Sequence, residues 1–494
     1  MRKEGETSQN IKRVQGKNQL IKRGSLLRES IEELVGNLKS GEGLSEVIVR
    51  MSLEVGRSFC KQVLELLDDY IFHERDKKLK VERIRPRWVI FSLGSIRIKR
   101  RQYIDREGRR RYLLDEYLGL EGKSPLTPEI KESSIFLTTL LPFMKCAAVM
   151  EKSLPQAAVS HTTLHRTVSK VTLPWLQAEE SRKQQIYETG ELPEGEERKV
   201  SHLMVEADGV NIALQREKQS KAEIKVGIAY EGWEEVSKGR YRLTGKTSYC
   251  ALTSGSSFWE GFSLQLATKY DLTSTGNIVV GGDGARWVKD GVDLLGGCFQ
   301  LDRFHLLRAL RRSLSWQTHL IEPIYSACNE GDWLRARSLL IQGLNQASGN
   351  EKDEIQRVIR YLGDNVAGLM DYRLKEDREC THLRRTGAIE SNVDKLIANR
   401  MKKKGMSWTI KGAKHMACLL MLTAERKLTD ICQPVRVKTT IIASSKKARH
   451  VLVKNIVELE GKWLQATIPA LYGPHQGRHW VKSLKHLSEV SFNV

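Results

Sequence analysis

Three acidic residues stand in short motifs spread over the second half of the chain: Asp208 in VEADGVN (205–211), Asp283 in VVGGDGAR (279–286) and Glu390 in TGAIESN (386–392). The first two end strand-like runs and the third opens a helical run, so one fold can gather all three carboxylates around divalent metal. Such a site hydrolyses or transfers phosphodiester bonds.

The elements around the motifs decide whether the acids can meet. Period two along the first run puts Leu203, Val205 and Ala207 on one face and Met204, Glu206 and Asp208 on the other, with Asp208 at the strand's end beside Gly209. An Asp-Gly pair alone reads equally as a turn. Asp283-Gly284 repeats the pair at the end of a second apolar strand, and two such ends in neighbouring strands place two carboxylates at one sheet edge, where open α/β sheets bind ligands. Oxygen-only ligands there suit Mg²⁺ or Mn²⁺ better than zinc. Two ions about 3.5–4 Å apart would serve an in-line displacement. Glu390 is the third acid by choice, since Ile389, Val393 and Leu396 form the buried stripe of its helix and Glu390 lies on the stripe's edge; Glu376, Asp377 and Glu379 compete by position.

A further constellation lies in CFQLDRFHLLRALRR (298–312). Asp302 can cap the helix, Phe304, Leu307, Leu310 and Leu314 would form its buried stripe, and His305, Arg308 and Arg312 share the other side. One reading is a capped helix with a solvated basic face. The other puts His305 near the scissile phosphate, donating a hydrogen bond or carrying a proton.

The rest of the chain suits a polyanionic partner. Among 494 residues, 81 Lys+Arg against 60 Asp+Glu leave a net charge of +21. The excess is clustered: fourteen Lys/Arg against three acids from Lys77 to Arg111, and seven against none from Lys395 to Lys414. Residues 1–30 read as a flexible basic arm. In 31–125, amphipathic helix (Leu34, Leu38, Val55, Phe59, Val63) precedes a β-hairpin, with strands from Trp88 to Ile104 and from Arg109 around the turn at Asp105-Arg-Glu-Gly, and a cationic face bearing Arg97, Lys99, Arg100 and Arg101. Residues 126–178 have a helix-turn-helix layout whose second helix, opened by Ser160, would present Ser160, His161, Thr163 and Arg166 to a major groove; trihelical packing units share that layout.

A hydrophilic bridge, 179–200, separates this half from an α/β core, 201–430. Three consecutive strands followed by alternating helices and strands are the element order of a ribonuclease H-like mixed sheet, with an all-helical insertion at about 316–380. The basic segment 431–494, with Trp463, Tyr472 and Trp480, is left without a role. Lys402, Lys403 and Lys404 are candidate DNA contacts, and Trp408 after them is either a base-stacking platform or a core tryptophan. Eight scattered cysteines without a C-x-x-C pair argue against a zinc ribbon or disulfide framework, and no apolar run reaches membrane-spanning length; a reduced, cytosolic protein is expected.

These residues resemble a known group. The order Asp-Gly, Asp-Gly, Asp302-x-x-His305, helical insertion and helical Glu resembles the Mutator-like superfamily of DDE transposases. The strings EADG (206–209), GDGA (282–285), FQLDRFH (299–305), GAIESN (387–392) and KKKGMSW (402–408), with FSLGSI (91–96) and LDEYLGL (114–120), are similar to a bacterial insertion-sequence transposase family long catalogued as an uncharacterised protein family, over nearly the whole chain. The resemblance implies that Asp208, Asp283 and Glu390 are a metal-binding triad, at spacings of 75 and 107 residues, with Asp302 and His305 as the family's accompanying signature. It further implies a transposase that binds terminal inverted repeats of double-stranded DNA through its N-terminal half and joins the freed 3′-hydroxyl to target DNA, as a dimer or higher assembly. A structure-selective nuclease on the same fold and a domesticated, non-catalytic DNA-binding protein are the alternatives.

Overall fold

The structure, a computed structural model, describes residues 43–154, 157–190, 195–375 and 383–432. The basic arm 1–30, Leu34 and Leu38, the competing acids Glu376, Asp377 and Glu379, and the segment beyond 432 lie outside the described residues. The described residues divide into two compact units: those of 43–66, 84–100 and 118–432 form one, and 67–83 with 101–117 the other.

Helix α1 (Leu44–Glu74) leads into strands β1 (Lys80–Phe91), β2 (Gly94–Ile104) and β3 (Arg110–Arg111), which form a three-stranded sheet in that order. The run Trp88–Ile104, expected as one strand, is thus two strands reversing at Ser92-Leu93; the turn is hidden because these two residues continue the alternation. The expected turn at Asp105 is present, with the Asp105 carboxylate accepting the Glu107 and Arg109 N–H groups. After it only β3 pairs before the chain becomes α2 (Leu113–Tyr117).

Helices α3 (Pro128–Leu140), α4 (Phe143–Ser153) and α5 (His161–Thr189) follow. Ile90, Ile130, Cys146, Met150 and Leu164 form a small core between them. Ser160 caps α5 by accepting the Thr163 N–H, as the sequence suggests. The hydrophilic bridge begins later than 179, because residues 179–189 are the last turns of α5. That polar run is helical because its charges are partnered: Lys183 pairs with Glu179 at 3.3 Å and donates to the Ser257 carbonyl, and Glu179 accepts the Tyr249 hydroxyl.

The large sheet comprises β4 (His202–Leu214), β5 (Lys221–Tyr230), β8 (Thr247–Ala251), β9 (Asn277–Gly282), β10 (Cys298–Leu301) and the short β11 (Ser407–Trp408); β6 (Gly232–Ser237) and β7 (Arg240–Thr244) make a separate two-stranded hairpin. Its order is β10-β9-β4-β5-β8: β5 is antiparallel to both of its neighbours, β4 and β8, while β9 and then β10 run parallel to β4. The far end of β4 pairs with β11. Strands β4, β5 and β9 are buried on both sides, which requires helices on both faces.

Helix α6 (Gly255–Ala267) supplies Phe258 and Phe262 over Gly227, the partner of Ala207, and α7 (Arg286–Leu295) places Val288 against Gly282 on β9. The Glu206 face is covered instead by α12 (Ile389–Val393, continued by a π turn Asp394–Ala398 and a last turn Asn399–Met401). Between the two, α8 (Arg303–Ser313) leaves β10, and α9 (Ile321–Glu330), α10 (Trp333–Gln346) and α11 (Asn350–Gly363) make the helical insertion. Helices α13 (Ile410–Ala424) and α14 (Leu428–Cys432) close the described chain. The architecture is mixed α/β, and among the described residues no helix is long and apolar enough to cross a membrane.

Candidate metal centre

Strand register builds the site. Ala207 stands beside Gly282, so Asp208 and Asp283 come level on adjacent parallel strands. Asp283 follows the last residue of β9, as expected, but Asp208 lies mid-strand: β4 continues to Leu214. The two Asp-Gly pairs therefore differ physically. Gly209 leaves room for the Glu223 side chain of β5, whose carboxylate lies 2.3 Å from where a Cβ would stand. Gly284 is a true turn residue, with φ +90° and the Asn365 side chain against it.

The tightest constellation is Asp208, His305 and Glu390, with one ligand-type atom from each within 4.8 Å of the others. His305 Nε2 lies 3.8 Å from Glu390 Oε2. Asp283 stands outside that trio, yet its charge acts on Asp208. The cluster is thus not oxygen-only: His305, expected near the reacting phosphate, lies among ligand-type atoms where the expected metal ligands were three carboxylates. Asp302 sets this up by capping α8, accepting the Phe304 and His305 N–H groups at 2.6 and 3.3 Å. The buried stripe of α8 is rotated from expectation. Leu306, Leu310 and Leu314 are fully buried while Phe304 is 51 % exposed, because Arg303 turns inward onto the Leu369 carbonyl.

Burial, together with the charges of Asp283 and Glu390, pushes the Asp208 carboxyl up to about 6, against the pull of the Gly209 N–H and of His305. Clustered carboxylates in that condition fit a divalent cation, which would offset their mutual repulsion; Asp208 and Glu390 would hold it, with Asp283 and His305 adjoining. A pH window follows. A raised carboxyl contributes stability to the metal-free fold below its ordinary pKa and loses it as pH rises through about 6. A cation competes with that proton, so the melting-temperature rise given by Mn²⁺ should be full above about pH 7 and shrink steeply below about pH 6. An equal rise near pH 5, by differential scanning fluorimetry, would remove Asp208 from the ion's ligands.

Two supports were not legible as functional residues. Glu206, two residues before Asp208 on the same face, is 1 % exposed and accepts the N–H groups of Gly387 (3.0 Å), Ala388 (3.3 Å) and Ile389 (3.0 Å), together with the Tyr230 hydroxyl. It caps the helix that carries Glu390. Burial pushes its carboxyl above the usual range, opposed by the Tyr230 hydroxyl and these N–H groups. From the insertion, the Tyr361 hydroxyl donates to the Asp283 carbonyl at 2.8 Å, and Asn365 packs on Gly284. The signal for Glu206 was its place in VEADG on the Asp208 face; no local pattern could have announced Tyr361.

Residues 35–431 match the sequence profile of the uncharacterised protein family UPF0236. The chain belongs to this family. It is 26% identical over 406 residues, 79% of this chain and 80% of the relative, to a UPF0236 protein of Caldanaerobacter subterraneus subsp. tengcongensis, strain MB4. It is also 26% identical over 415 residues, 80% of this chain and 86% of the relative, to the UPF0236 protein in the vanSb 3′ region of Streptococcus gallolyticus. The matched span contains every residue of the candidate centre.

The candidate DNA contacts are less uniform. Arg97 and Lys99 are exposed on β2. Arg100 is turned inward, 6 % exposed, with its guanidinium on the Arg85 and Pro86 carbonyls, and Arg101 is held by Asp68 at 2.6 Å and Asp69 at 2.7 Å. Those two are corrected from surface cations to structural ones: strict alternation along β2 puts Arg100 on the buried face with Ile96 and Ile98, and Arg101, on the side of Arg97 and Lys99, is taken up by the two α1 carboxylates. Ser160 and Arg166 are exposed and Thr163 half-buried. Arg308 and Arg312 are exposed, Arg312 in an ion pair with Glu354 at 3.0 Å. Lys402, Lys403 and Lys404 are exposed, with Lys403 on Asp394 and Lys404 on the Leu140 carbonyl. Trp408 is a core tryptophan, 4 % exposed, its Nε1 donating to the Met401 carbonyl, and cannot stack on a base. Arg384 and Arg385, six and five residues before Glu390 and outside the expected contacts, are also exposed, with Arg384 over the Tyr241 ring at 3.6 Å and Arg385 beside the Asp371 carboxylate at 3.5 Å.

Proposed function

We propose that this chain is a DDE-type DNA transposase, a bacterial insertion-sequence enzyme of the Mutator-like superfamily, acting at element ends with Mg²⁺ or Mn²⁺. The observation that carries the reading is the meeting of Asp208, Glu390 and His305, with Asp283 level with Asp208, at one edge of a mixed sheet. The strand order β8-β5-β4-β9-β10, three antiparallel and two parallel to the first, fits a ribonuclease H-like core interrupted by a helical insertion before the last acid. The name of the Caldanaerobacter relative runs together eleven locus designations in one genome, and another runs together four. One protein name shared by many loci of a genome is what a self-moving element would leave behind.

When bound, divalent ions would supply charge stabilisation for an in-line displacement at phosphorus, first by water and then by a DNA 3′-hydroxyl. The chain's own residues do the rest. Asp208 and Glu390, with Asp283 adjoining, would hold the ions against which the reacting phosphate lies, and His305 would carry the nucleophile's proton. Arg308, Arg384 and Arg385 face the approaching backbone, while Arg97, Lys99 and the Ser160–Arg166 turn of α5 hold DNA further along. Two ends must be joined, so two copies act together.

The test is a labelled duplex carrying the element's terminal inverted repeat, incubated with Mg²⁺ or Mn²⁺. Nicking at the element's 3′ end plus a joined product is expected. Cleavage without joining would leave a structure-selective nuclease on the same site, and binding without metal-dependent cleavage would leave a DNA-binding protein.

A further inference from the structure

We infer that α1 pairs with α1 of a second copy of this chain and makes it a homodimer. One side of α1 is turned into the fold through Val47 and Arg57, whose guanidinium donates to the Leu93 carbonyl. Another side is apolar and exposed: Leu44 53 %, Ile48 48 %, Val55 60 %, Phe59 65 %, Val63 43 % and Leu66 63 %. At 3.6 residues per turn these fall on a single stripe, and the steps from Ile48 to Val55, Phe59 and Leu66 are those of an a/d seam. The stripe from Ile48 to Leu66 is about 27 Å long.

Its chemistry selects the partner. The positions interleaved with the apolar residues are Met51, Ser52, Ser58 and Gln62, so the stripe carries no charge at all. A face without lysine or arginine suits neither a phosphate backbone nor an anionic lipid surface. An uncharged apolar stripe is complementary to itself, which is what an isologous two-fold contact requires. The exposed side chains offer about 600 Å² per copy, hence about 1,200 Å² for the pair, the lower end of what a stable dimer buries. Exposed continuous apolar area of that size is at the upper limit for a monomer.

The inference assigns an interface to the pairing of copies that the proposed function calls for and to that extent rests on the same reading; its test uses the full chain without DNA or metal, so that it can fail while the activity stands. Sedimentation equilibrium should give twice the 56.3 kDa chain mass. Phe59→Glu places like charges across the seam and should weaken the dimer at least about 100-fold, leaving the circular dichroism spectrum unchanged. Val55, midway along the stripe, faces its own copy in either helix orientation, so Val55→Cys should form a disulfide-linked dimer on mild oxidation, above the wild-type background. Leu334→Cys, on exposed α10, should not. A monomeric wild type, as would result if residues 1–42 of the same chain covered the stripe, overturns the inference. So does a dimer unmoved by Phe59→Glu, or a Val55→Cys crosslink no stronger than that of Leu334→Cys; the crosslink decides if Phe59→Glu does not fold.

Discussion

Asp208→Asn should lower metal-dependent cleavage of a terminal-repeat duplex by at least about 10³-fold, which is about 4 kcal/mol of transition-state stabilisation. Asparagine keeps the shape and the hydrogen bond to the Gly209 N–H but withdraws the charge that makes the site attractive to a cation. Because Asp208 belongs to the trio with His305 and Glu390, the melting-temperature rise given by Mn²⁺ should vanish in this variant. Asp283→Asn should lose comparable activity yet retain a weakened rise, since Asp283 stands outside the trio. In Mn²⁺-free buffer Asp208→Asn should be no less stable than wild type near neutral pH, because the carboxyl it removes is one that burial and neighbouring charges disfavour in its ionised form. DNA affinity should stay within about twofold, as the exposed cations of β2 and α5 are untouched. Cleavage that survives in Asp208→Asn would mean the chemistry lies elsewhere, whereas loss of DNA binding along with cleavage would mean the substitution damaged the fold.

How much of this could be read from residues alone depended on whether a signal was local. Strand β9 was legible to the residue because Asn277–Gly282 is a short apolar run ended by a turn, and α8 because Asp302 caps it. The Asp208 face was legible from period two. Its place along the strand was not, because Gly209 answers to Glu223 on a neighbouring strand, a contact no local pattern contains. Phe304 left its expected environment, and Trp408 took the core one of its two readings, for the same reason. The inward turn of Arg303 onto the Leu369 carbonyl rotates α8, and the pairing of β11 with the far end of β4 draws Trp408 into the core. Helix α5 was cut short in the reading because a helix whose polar residues are satisfied by Tyr249 and Ser257 looks like a linker in sequence. The acids of the centre announced themselves by type; the imidazole's nearness to Glu390 needed the docking of α8 beside α12.

Glu206→Gln should weaken Mn²⁺ binding by about 10- to 100-fold while leaving all the proposed ligands in place, the range expected when a partner that orients ligands is lost. The wild-type carboxylate accepts three N–H groups at the start of α12 and so ties the strand bearing Asp208 to the helix bearing Glu390. A carboxylate is suited to this because it only accepts; an amide must direct one NH₂ at N–H donors or turn away and leave them unpartnered. An unsatisfied buried donor costs about 1–3 kcal/mol, so the first turn of α12 should loosen and Glu390 should lose its fixed place. Tyr230→Phe separates the two duties of Glu206. It removes the hydroxyl contact but none of the backbone ones, and should lower the melting temperature with little change in Mn²⁺ affinity. Equal Mn²⁺ affinity in Glu206→Gln and wild type, measured by titration calorimetry on folded protein, would reduce Glu206 to a structural residue. Weaker affinity in Glu206→Gln alone would make the position of Glu390, and with it the geometry of the metal centre, a property imposed by a buried carboxylate that never touches the ion.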